Sequence, residues 1–455
     1  MDPHGTHSLL DPLFTTALMR EVFSDRGRLQ GLLDFEAALA RAEARAGIIP
    51  EGAVSPIASQ CRAEVFDLES LGQAAALSGN VAIPMVQALT ALVAESDPDA
   101  ARWVHFGATS QDALDTGLVL QLRAALHHLE EGLDRLARAL AHLAERHRRT
   151  LLAGRTWLQH AQPITLGLKA AGWMSAVERH RERLREARPR LLAIQLGGAV
   201  GTLDAFGAKA AAVSTALADE LGLAVPDLPW HSQRDRLGEA AALAGLLVGT
   251  LGKMARDVSL LMQSEVAEAF EPGAPGRGGS SSMPHKRNPV ASAVALAAAI
   301  RVPGLVATML SAMVQEHERG LGGWQAEWET LPEIFRLTAG ALGHMTEVAS
   351  GLQVDPARMA ENLGATHGAI HAPAVSLALA SSLGRTGAHE IVERASRRAA
   401  LERRPLRQIL SEDPEVKSRL SPHELDRLFD PSQGLGQAEA LVEQALANFP
   451  RGEGG

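Results

Sequence analysis

Residues 122–143, LRAALHHLEEGLDRLARALAHL, place leucine at alternating steps of four and three residues. This spacing is the a/d repeat of helices that pack along one another at shallow angles. A helix running from about residue 110 to about residue 148 would be on the order of 60 Å long at about 1.5 Å per residue. We expect such a rod to need partner helices that cover its leucine seam.

Other segments have the same Ala- and Leu-rich character and are separated by joints that contain Gly and Pro. They cover residues 165–193, 233–269, 289–314 and 324–351. Shorter helices, interrupted by proline, are expected on either side. We therefore predict an all-α fold with three domains: residues 1–110, a central bundle of about five long helices at 111–351 that includes a loop at 273–289, and residues 352–455.

Composition supports a helical chain. At 455 residues the chain is too long for one ordinary core. Hydrophobic residues make up 46 % of the sequence but aromatic residues only 4 %, with no Tyr, so Ala and Leu must fill the interior. Ala and Leu, which are not branched at Cβ, are typical of closely packed helices.

The formal net charge of −9 does not favour binding to nucleic acid or to an anionic membrane surface. The single cysteine, Cys61, excludes an intrachain disulfide and a thiolate metal site, which fits the reducing cytoplasm. The first residues lack the basic and apolar regions of a signal peptide. The longest stretch free of charged residues, 70–94, contains Gln, Ser, Asn and Pro and is a poor membrane span. We predict a cytoplasmic protein with no membrane and no nucleic-acid partner.

Long rods leave apolar surface to cover, and the simplest cover is another copy of the chain. We therefore predict a homo-oligomer, specifically a homotetramer.

Residues 276–290, GRGGSSSMPHKRNPV, join a Gly- and Ser-rich loop to a run of positive charge. Asn288 and Pro289 have the form of an N-cap and first helical residue, so the loop is expected to end at the positive end of a helix dipole. Lys286 and Arg287 add charge there and favour binding of a carboxylate. The glycines and serines would let the loop close over a substrate. The alternative is a solvated linker before a well-capped helix.

The run GSSSMPHKRNP resembles the signature GSSxMPxKxNP of the fumarase/aspartase superfamily, which includes adenylosuccinate and argininosuccinate lyases. The resemblance implies that Ser280 exchanges the proton on the carbon beside a substrate carboxylate, although Ser281 and Ser282 leave the register slightly open. It also implies that Lys286 helps to hold that carboxylate and that Asn288 contributes to the same pocket.

Residues 105–112, HFGATSQD, resemble the GxTSxD segment of the same superfamily. The resemblance assigns Thr109 and Ser110 to a substrate carboxylate. The residues alone favour a capping-box-like start of the leucine helix, formed by Thr109 and Asp112. Both interpretations are compatible, because free N–H groups and hydroxyls at a helix start also bind anions.

Residues 154–163, GRTWLQHAQP, resemble the GRTHxQxAxP segment. The residues alone favour a helix entry with a proline and a satisfied polar cluster. The superfamily resemblance, which covers nearly the whole chain, implies a homotetramer whose active sites form where three subunits meet, each contributing one of the three stretches. We assign five residues of this stretch to the substrate pocket: Arg155, Thr156, Trp157, Gln159 and His160.

Trp157 stands where most of these lyases carry a histidine that protonates the leaving group. An indole N–H donates a hydrogen bond but does not act as an acid. A carboxylate, with a pKa of about 4, is already an anion at neutral pH and can add to an alkene without that proton. Trp157 therefore favours the cycloisomerases of the superfamily, in which a carboxylate of a tricarboxylate diene closes a lactone ring.

Residues 315–328, QEHERGLGGWQAEW, also resemble the cycloisomerases. We assign Arg319 to a substrate carboxylate, whereas Glu316 to Glu318 alone would be a solvated face. His160 is either a donor, a replacement acid or a satisfied core histidine, and His231 and His285 receive no role. The expected chemistry needs neither a metal nor a cofactor.

Other functions stay open at this point. The nearest alternative is a genuine lyase of the adenylosuccinate type that uses His160 as its acid. A structural or interaction protein that keeps the bundle without chemistry is the alternative from another class.

Overall fold

The computed structural model describes residues 9–273, 276, 278–279, 283 and 285–449. Within this part of the chain the structure is mainly helical, and its strands form two small two-stranded sheets. The all-α prediction is confirmed.

The N-terminal helices are α1 (Asp11–Phe14), α2 (Ala17–Val22), α3 (Asp25–Arg45), α4 (Val54–Gln60), α5 (Leu68–Ser78) and α6 (Ala82–Ser96). Single 3₁₀ turns lie at Glu51–Ala53, Ala63–Val65 and Ala100–Trp103. The expected interruption by proline was wrong for Pro56 and Pro84, which lie in the first turns of α4 and α6. A first-turn residue has no intrahelical partner for its N–H, so proline is tolerated there.

The predicted leucine helix is α7 (Ser110–Arg146), 37 residues long. Its seam leucines are between 0 and 5 % exposed, from Leu122 to Leu143. This burial confirms the a/d pattern.

The following elements are β1 (Leu151–Thr156), β2 (Gln159–Thr165), α8 (Leu166–Leu191), α9 (Ala210–Leu221), α10 (Asp235–Leu261), β3 (Ala269–Phe270), α11 (Val290–Ala312) and α12 (Gly323–Gly351), with a 3₁₀ turn at Asp204–Lys209. The prediction of a helix over 233–269 was wrong at its end, because α10 stops at Leu261. The chain reverses there through Ala267, at φ 51°, and the N–H of Glu268 donates to the carbonyl of Leu261. Strand β3 then pairs with a later strand, β4 (Gln353–Val354).

The C-terminal helices are α13 (Pro356–Gly364), α14 (Ala372–Glu402), α15 (Leu406–Glu412), α16 (Pro414–Lys417), α17 (Pro422–Leu428) and α18 (Ala438–Asn448), with 3₁₀ turns at Ala369–His371 and Pro431–Gly434. The expectation of only short helices here was wrong for α14, which has 31 residues. Pro373 lies in its first turn and does not break it, whereas Gly384 interrupts the helical backbone at φ 70°.

The chain divides into two compact units. Unit 1 comprises Met1–Asp134, Arg179–Gly252 and Val294–His344, and unit 2 comprises Arg135–Glu178, Lys253–Ala293 and Met345–Gly455. The divisions fall inside α7, α8, α10, α11 and α12. The sequence-based boundaries near residues 110 and 351 stay a prediction.

Each unit has its own apolar interior. In unit 1, α3 supplies Leu32, Leu33 and Phe35, which cluster with buried residues of α4, α6 and α9. In unit 2, one cluster lies around α14, α15 and α17. A second cluster joins the base of the β1–β2 hairpin to the ends of α10 and α13 through Leu152, Leu166, Leu261 and Met359.

A buried ionic cluster holds the starts of α7, α10 and α12 together in unit 1. Arg234 donates to Asp115 and Glu327, and all three side chains are 1 % exposed. The guanidinium also lies over the Trp230 ring, 5.0 Å from its centroid, and Trp324 donates to Asp115. Burial lowers the pKa of Arg234, but its two carboxylate partners outweigh burial and raise it, so the cation stays charged.

Two helices, Asp235–Leu261 and Val290–Ala312, are long and apolar enough to cross a membrane by length and composition alone. The core helices of water-soluble proteins pass the same test. In α11 only 33 % of the apolar window is buried within the chain, which leaves an uncovered apolar surface.

Replacing Arg234 with Met should destabilise the protein, because Asp115 and Glu327 would be left buried without a counter-charge. We expect the free energy of unfolding to fall by about 3–5 kcal/mol, which a lower urea concentration at the unfolding midpoint would reveal. The matched control is Arg45→Ala, which removes an exposed partner of Asp219 and should cost less than about 1 kcal/mol. Equal midpoint shifts for the two variants would contradict this account.

Candidate active site

In unit 1 the 105–112 segment forms the start of α7. Gly107, at φ 67°, turns the chain, and the N–H of Thr109 donates to the Asp112 carboxylate at 3.0 Å. This bond is one half of the predicted capping box. The Thr109 hydroxyl is contacted from outside the helix, by Arg319 at 3.1 Å.

Arg319 lies in the loop between α11 and α12. Besides Thr109, its guanidinium donates to the carbonyl of Ala199 at 2.9 Å. The exposed Glu316 shapes this loop, because its carboxylate accepts from the N–H of Leu321 at 2.9 Å, and that hydrogen bond lowers the pKa of Glu316. The structure thus brings two predicted carboxylate-binding residues together that are 210 positions apart in the sequence.

In unit 2 the 154–163 segment is a β-hairpin, so the interpretation of these residues as a helix entry was wrong. Strands β1 and β2 pair antiparallel, with Thr156 opposite Gln159 and Arg155 opposite His160. The hairpin nevertheless gathers all five predicted pocket residues of this stretch.

The tip of the hairpin consists of Trp157 and Leu158, at φ 53° and 63°. Two left-handed residues in a row form a type I′ turn, for which Asn-Gly is the favoured pair. Here the turn carries two bulky residues at a cost on the order of 1 kcal/mol each. Trp157 is 97 % exposed and Leu158 75 %. A strained turn that presents an indole to the outside is typical of a functional contact.

Arg155 anchors the hairpin. Its guanidinium donates to both oxygens of the fully buried Glu268, at 2.9 and 2.7 Å, and Asn362 donates to the same carboxylate at 2.8 Å. The charge of Arg155 is therefore matched within unit 2, and its assignment to substrate stays a prediction. Burial, and secondarily Arg155, lower the pKa of His160, while Glu268 opposes them.

The prediction that Ser280 is catalytic stays untested, because Ser280, Ser281 and Ser282 lie outside the described residues. Among the described neighbours, the N–H of Asn288 donates to the carbonyl of Gly278 at 2.9 Å. Lys286 is exposed. The bond at Asn288 closes the base of the loop.

The prediction of Asn288 as the N-cap of α11 was wrong, because the helix begins at Val290. Glu271 accepts hydrogen bonds from free N–H groups at the start of α11, those of Ala291 and Ser292, at 3.0 and 2.8 Å. Its side chain is 4 % exposed. The Ser292 hydroxyl adds a third donor at 2.7 Å. A carboxylate at this position satisfies the helix dipole from inside the protein.

Arg287 also contacts protein groups. It lies over the Phe270 ring at 4.7 Å and donates to the carbonyl of Glu271 and to Gln353, at 2.7 and 2.8 Å. These contacts hold the end of the loop against the β3–β4 pair. The role of Arg287 in substrate binding therefore stays a prediction.

Sequence reasoning assigned no role to Glu268, which binds Arg155, or to Glu271, which caps α11. They flank the two residues of β3 in the run EAFE. Alternation of acidic and apolar residues directly before a Gly- and Pro-rich loop was the available signal. No cluster that could hold a metal ion is present among the residues that the structure describes.

Glu271→Ala should destabilise the start of α11, because two helix N–H groups and one hydroxyl would lose their buried acceptor. We expect the free energy of unfolding, measured by thermal or urea unfolding, to fall by about 1–3 kcal/mol. This loss is larger than that expected for an exposed cap. Asp355→Ala is the control, since Asp355 caps α13 by accepting only from the N–H of Arg358 and is exposed. A smaller loss for Glu271→Ala than for Asp355→Ala would show that Glu271 is not a cap of this kind.

Comparison with known proteins gives a consistent result over most of the chain. Residues 14–304 match a family model described as lyase, and residues 368–445 match one described as adenylosuccinate lyase C-terminus. A 3-carboxy-cis,cis-muconate cycloisomerase of Pseudomonas aeruginosa is 61 % identical over 441 residues, 97 % of this chain and 96 % of that protein.

Solved structures agree. The 3-carboxy-cis,cis-muconate lactonizing enzyme of Pseudomonas putida superposes with a TM-score of 0.92 at 55 % identity, covering 97 % of this chain and 98 % of that one. The β-carboxy-cis,cis-muconate cycloisomerase of Acinetobacter calcoaceticus also gives 0.92, at 43 % identity, with 97 and 100 % covered. The chain therefore belongs to the fumarase/aspartase superfamily and, within it, to the family of the 3-carboxy-cis,cis-muconate cycloisomerases.

Proposed function

We propose that the chain is a cofactor-independent cycloisomerase that interconverts 3-carboxy-cis,cis-muconate and 4-carboxymuconolactone, a step in the protocatechuate branch of aromatic catabolism. Similarity to cycloisomerases over nearly the full length supports this function. The observation that carries the chemistry is Trp157 at the exposed tip of a strained hairpin, where related lyases carry a histidine.

The reaction is an isomerisation, so no atom leaves. A carboxylate oxygen of the substrate adds to the far alkene carbon and forms the C–O bond of the lactone. The electron pair of that alkene moves towards the carbon beside another carboxylate, which takes up the negative charge. A proton then adds to that carbon. The attacking oxygen is ionised at neutral pH, since carboxylic acids have a pKa of about 4, so no acid is needed at Trp157.

Each unit contributes residues that we assign to the negative charges of the substrate. In unit 1 Arg319 and the Thr109 hydroxyl form a carboxylate-binding pair at the start of α7, next to Ser110. In unit 2 we assign Lys286 to the carboxylate that takes up charge and Ser280 to delivery of the proton. Fixed donors and cations stabilise such an anion without reorganising. Trp157 would hold the bent diene in an attack geometry.

We further propose a homotetramer in which each active site takes its three stretches from three subunits. Large apolar side chains of α10, α11 and the following loop support self-association: Leu246, Ile300, Leu310 and Val314 are between 50 and 84 % exposed. Surface of this kind is unfavourable in water unless another protein surface covers it.

The cytoplasm is the proposed location. Cys61 is free and buried, and burial raises the pKa of its thiol to about 12, so it is an unreactive core residue.

A fumarate-releasing lyase of the adenylosuccinate type remains the second candidate. It would need an acid in place of the missing histidine, and His160 is the nearest choice in the hairpin. Burial lowers the pKa of His160, which disfavours the protonated form that a general acid needs.

Incubation with 3-carboxy-cis,cis-muconate in the presence of a chelator tests the function. We expect the ultraviolet absorbance of the conjugated diene to disappear, because lactone formation consumes one alkene. In a parallel incubation, adenylosuccinate should release no fumarate. Unchanged diene absorbance together with fumarate release would contradict the proposal and favour the lyase.

A further inference from the structure

Asp112 is a fully buried carboxylate that the proposed chemistry does not use. One of its oxygens accepts from the N–H groups of Thr109 and Gly198, both at 3.0 Å. The other accepts from the N–H of Gly197 at 3.0 Å and lies 2.7 Å from Nε2 of His231. An ionised carboxylate only accepts hydrogen bonds, so His231 donates to it.

These four donors come from three separate segments of unit 1. Thr109 precedes α7, the two glycines lie in the loop between α8 and α9, and His231 lies shortly before α10. Hydrogen bonds to a buried charge are stronger than those between neutral groups. Asp112 therefore fixes the positions of the three segments relative to one another.

Two of the three segments are those that hold Arg319. One nitrogen of the guanidinium donates to the Thr109 hydroxyl, and another donates to the carbonyl of Ala199. Thr109 and Gly198, the residue before Ala199, are bound to the same oxygen of Asp112. The distance between the two acceptors of Arg319 is thus set by Asp112.

The glycines allow this close approach. Gly198 has φ 70°, and a Cβ there would lie 3.2 Å from the carbonyl oxygen of Gly107. A Cβ on Gly197 would lie 2.7 Å from the His231 ring. A side chain at Gly197 would therefore push away the donor that Asp112 needs.

We propose that Asp112 and His231 are positioning residues for Arg319: they hold the Thr109 hydroxyl and the Ala199 carbonyl so that the guanidinium faces a substrate carboxylate. Neither residue touches the substrate, since both are buried. This inference rests on the proposed function, in which Arg319 binds one carboxylate of the tricarboxylate.

Asp112→Asn is a mild test of the pair. Its amide nitrogen cannot accept, so the stable orientation places that nitrogen towards His231, whose other tautomer can accept from it. The bonds to Thr109 and Gly198 then survive, and the N–H of Gly197 loses its acceptor. The variant is expected to fold with a disturbed but not destroyed Arg319 site.

The decisive experiment is a double-mutant cycle with Asp112→Asn and Arg319→Gln, measured as KM and kcat for 3-carboxy-cis,cis-muconate. With Arg319 present, Asp112→Asn should raise KM about fivefold and change kcat less, which is a coupling typical of residues in one network. In the Arg319→Gln background, adding Asp112→Asn should raise KM by less than about twofold. Asp134→Asn, on the same helix and paired with Arg181, should leave KM unchanged.

An equal rise of KM in both backgrounds would overturn the proposal, because a merely structural role does not depend on Arg319. The His231 variants give a second readout should Asp112→Asn fail to fold. His231→Gln keeps an N–H donor and should retain more affinity than His231→Leu, and equal KM values for these two would also contradict the proposal. A wild-type protein without turnover would refute the proposed function itself, which is a different result from an active enzyme with an additive cycle.

Discussion

Two carboxylates in the first turns of α7, Asp112 and Asp115, are buried, and each must be paired inside the protein. An unpaired buried charge is too costly to keep, so the partners are obligatory. Asp115 forms an ion pair with Arg234, which also binds Glu327. Asp112 accepts hydrogen bonds from three backbone N–H groups and from His231. These bonds determine where the chain segments around the start of α7 must lie.

The same arrangement recurs in each unit: a buried acid binds protein donors next to a residue that we propose for substrate binding. In unit 1 the acid is Asp112, and Thr109 connects it to Arg319. In unit 2 Glu268 anchors Arg155 near the tip of the hairpin, and Glu271 caps the helix that follows Lys286. In the proposed function these cations bind the carboxylates of the substrate, although the net charge of the protein is −9.

The sequence predicted the long helices well, because a leucine repeat and Ala-rich composition report burial directly. The assignments of Thr109 and Arg319 to substrate carboxylates stay predictions, and the sequence did not indicate that these two side chains are hydrogen-bonded to each other. It failed at the 154–163 hairpin, where a Trp-Leu pair forms a turn that local preference assigns to Asn-Gly. It also missed Glu271 as the acceptor for α11, since a cap from another segment leaves no local pattern. Local rules describe neighbours in the chain, and these two features depend on tertiary contacts.

In the proposed reaction the attacking carboxylate is already ionised, so Trp157 needs to be a flat apolar wall and not an acid. The most direct measurement compares turnover of 3-carboxy-cis,cis-muconate by Trp157→Phe and Trp157→His at neutral pH. The side chain is exposed, so both variants should fold. The Phe variant keeps a flat apolar ring and is expected to stay within about tenfold of wild type, whereas the His variant should be slower. A His variant as fast as wild type beside an inactive Phe variant would show that the reaction needs an acid at position 157.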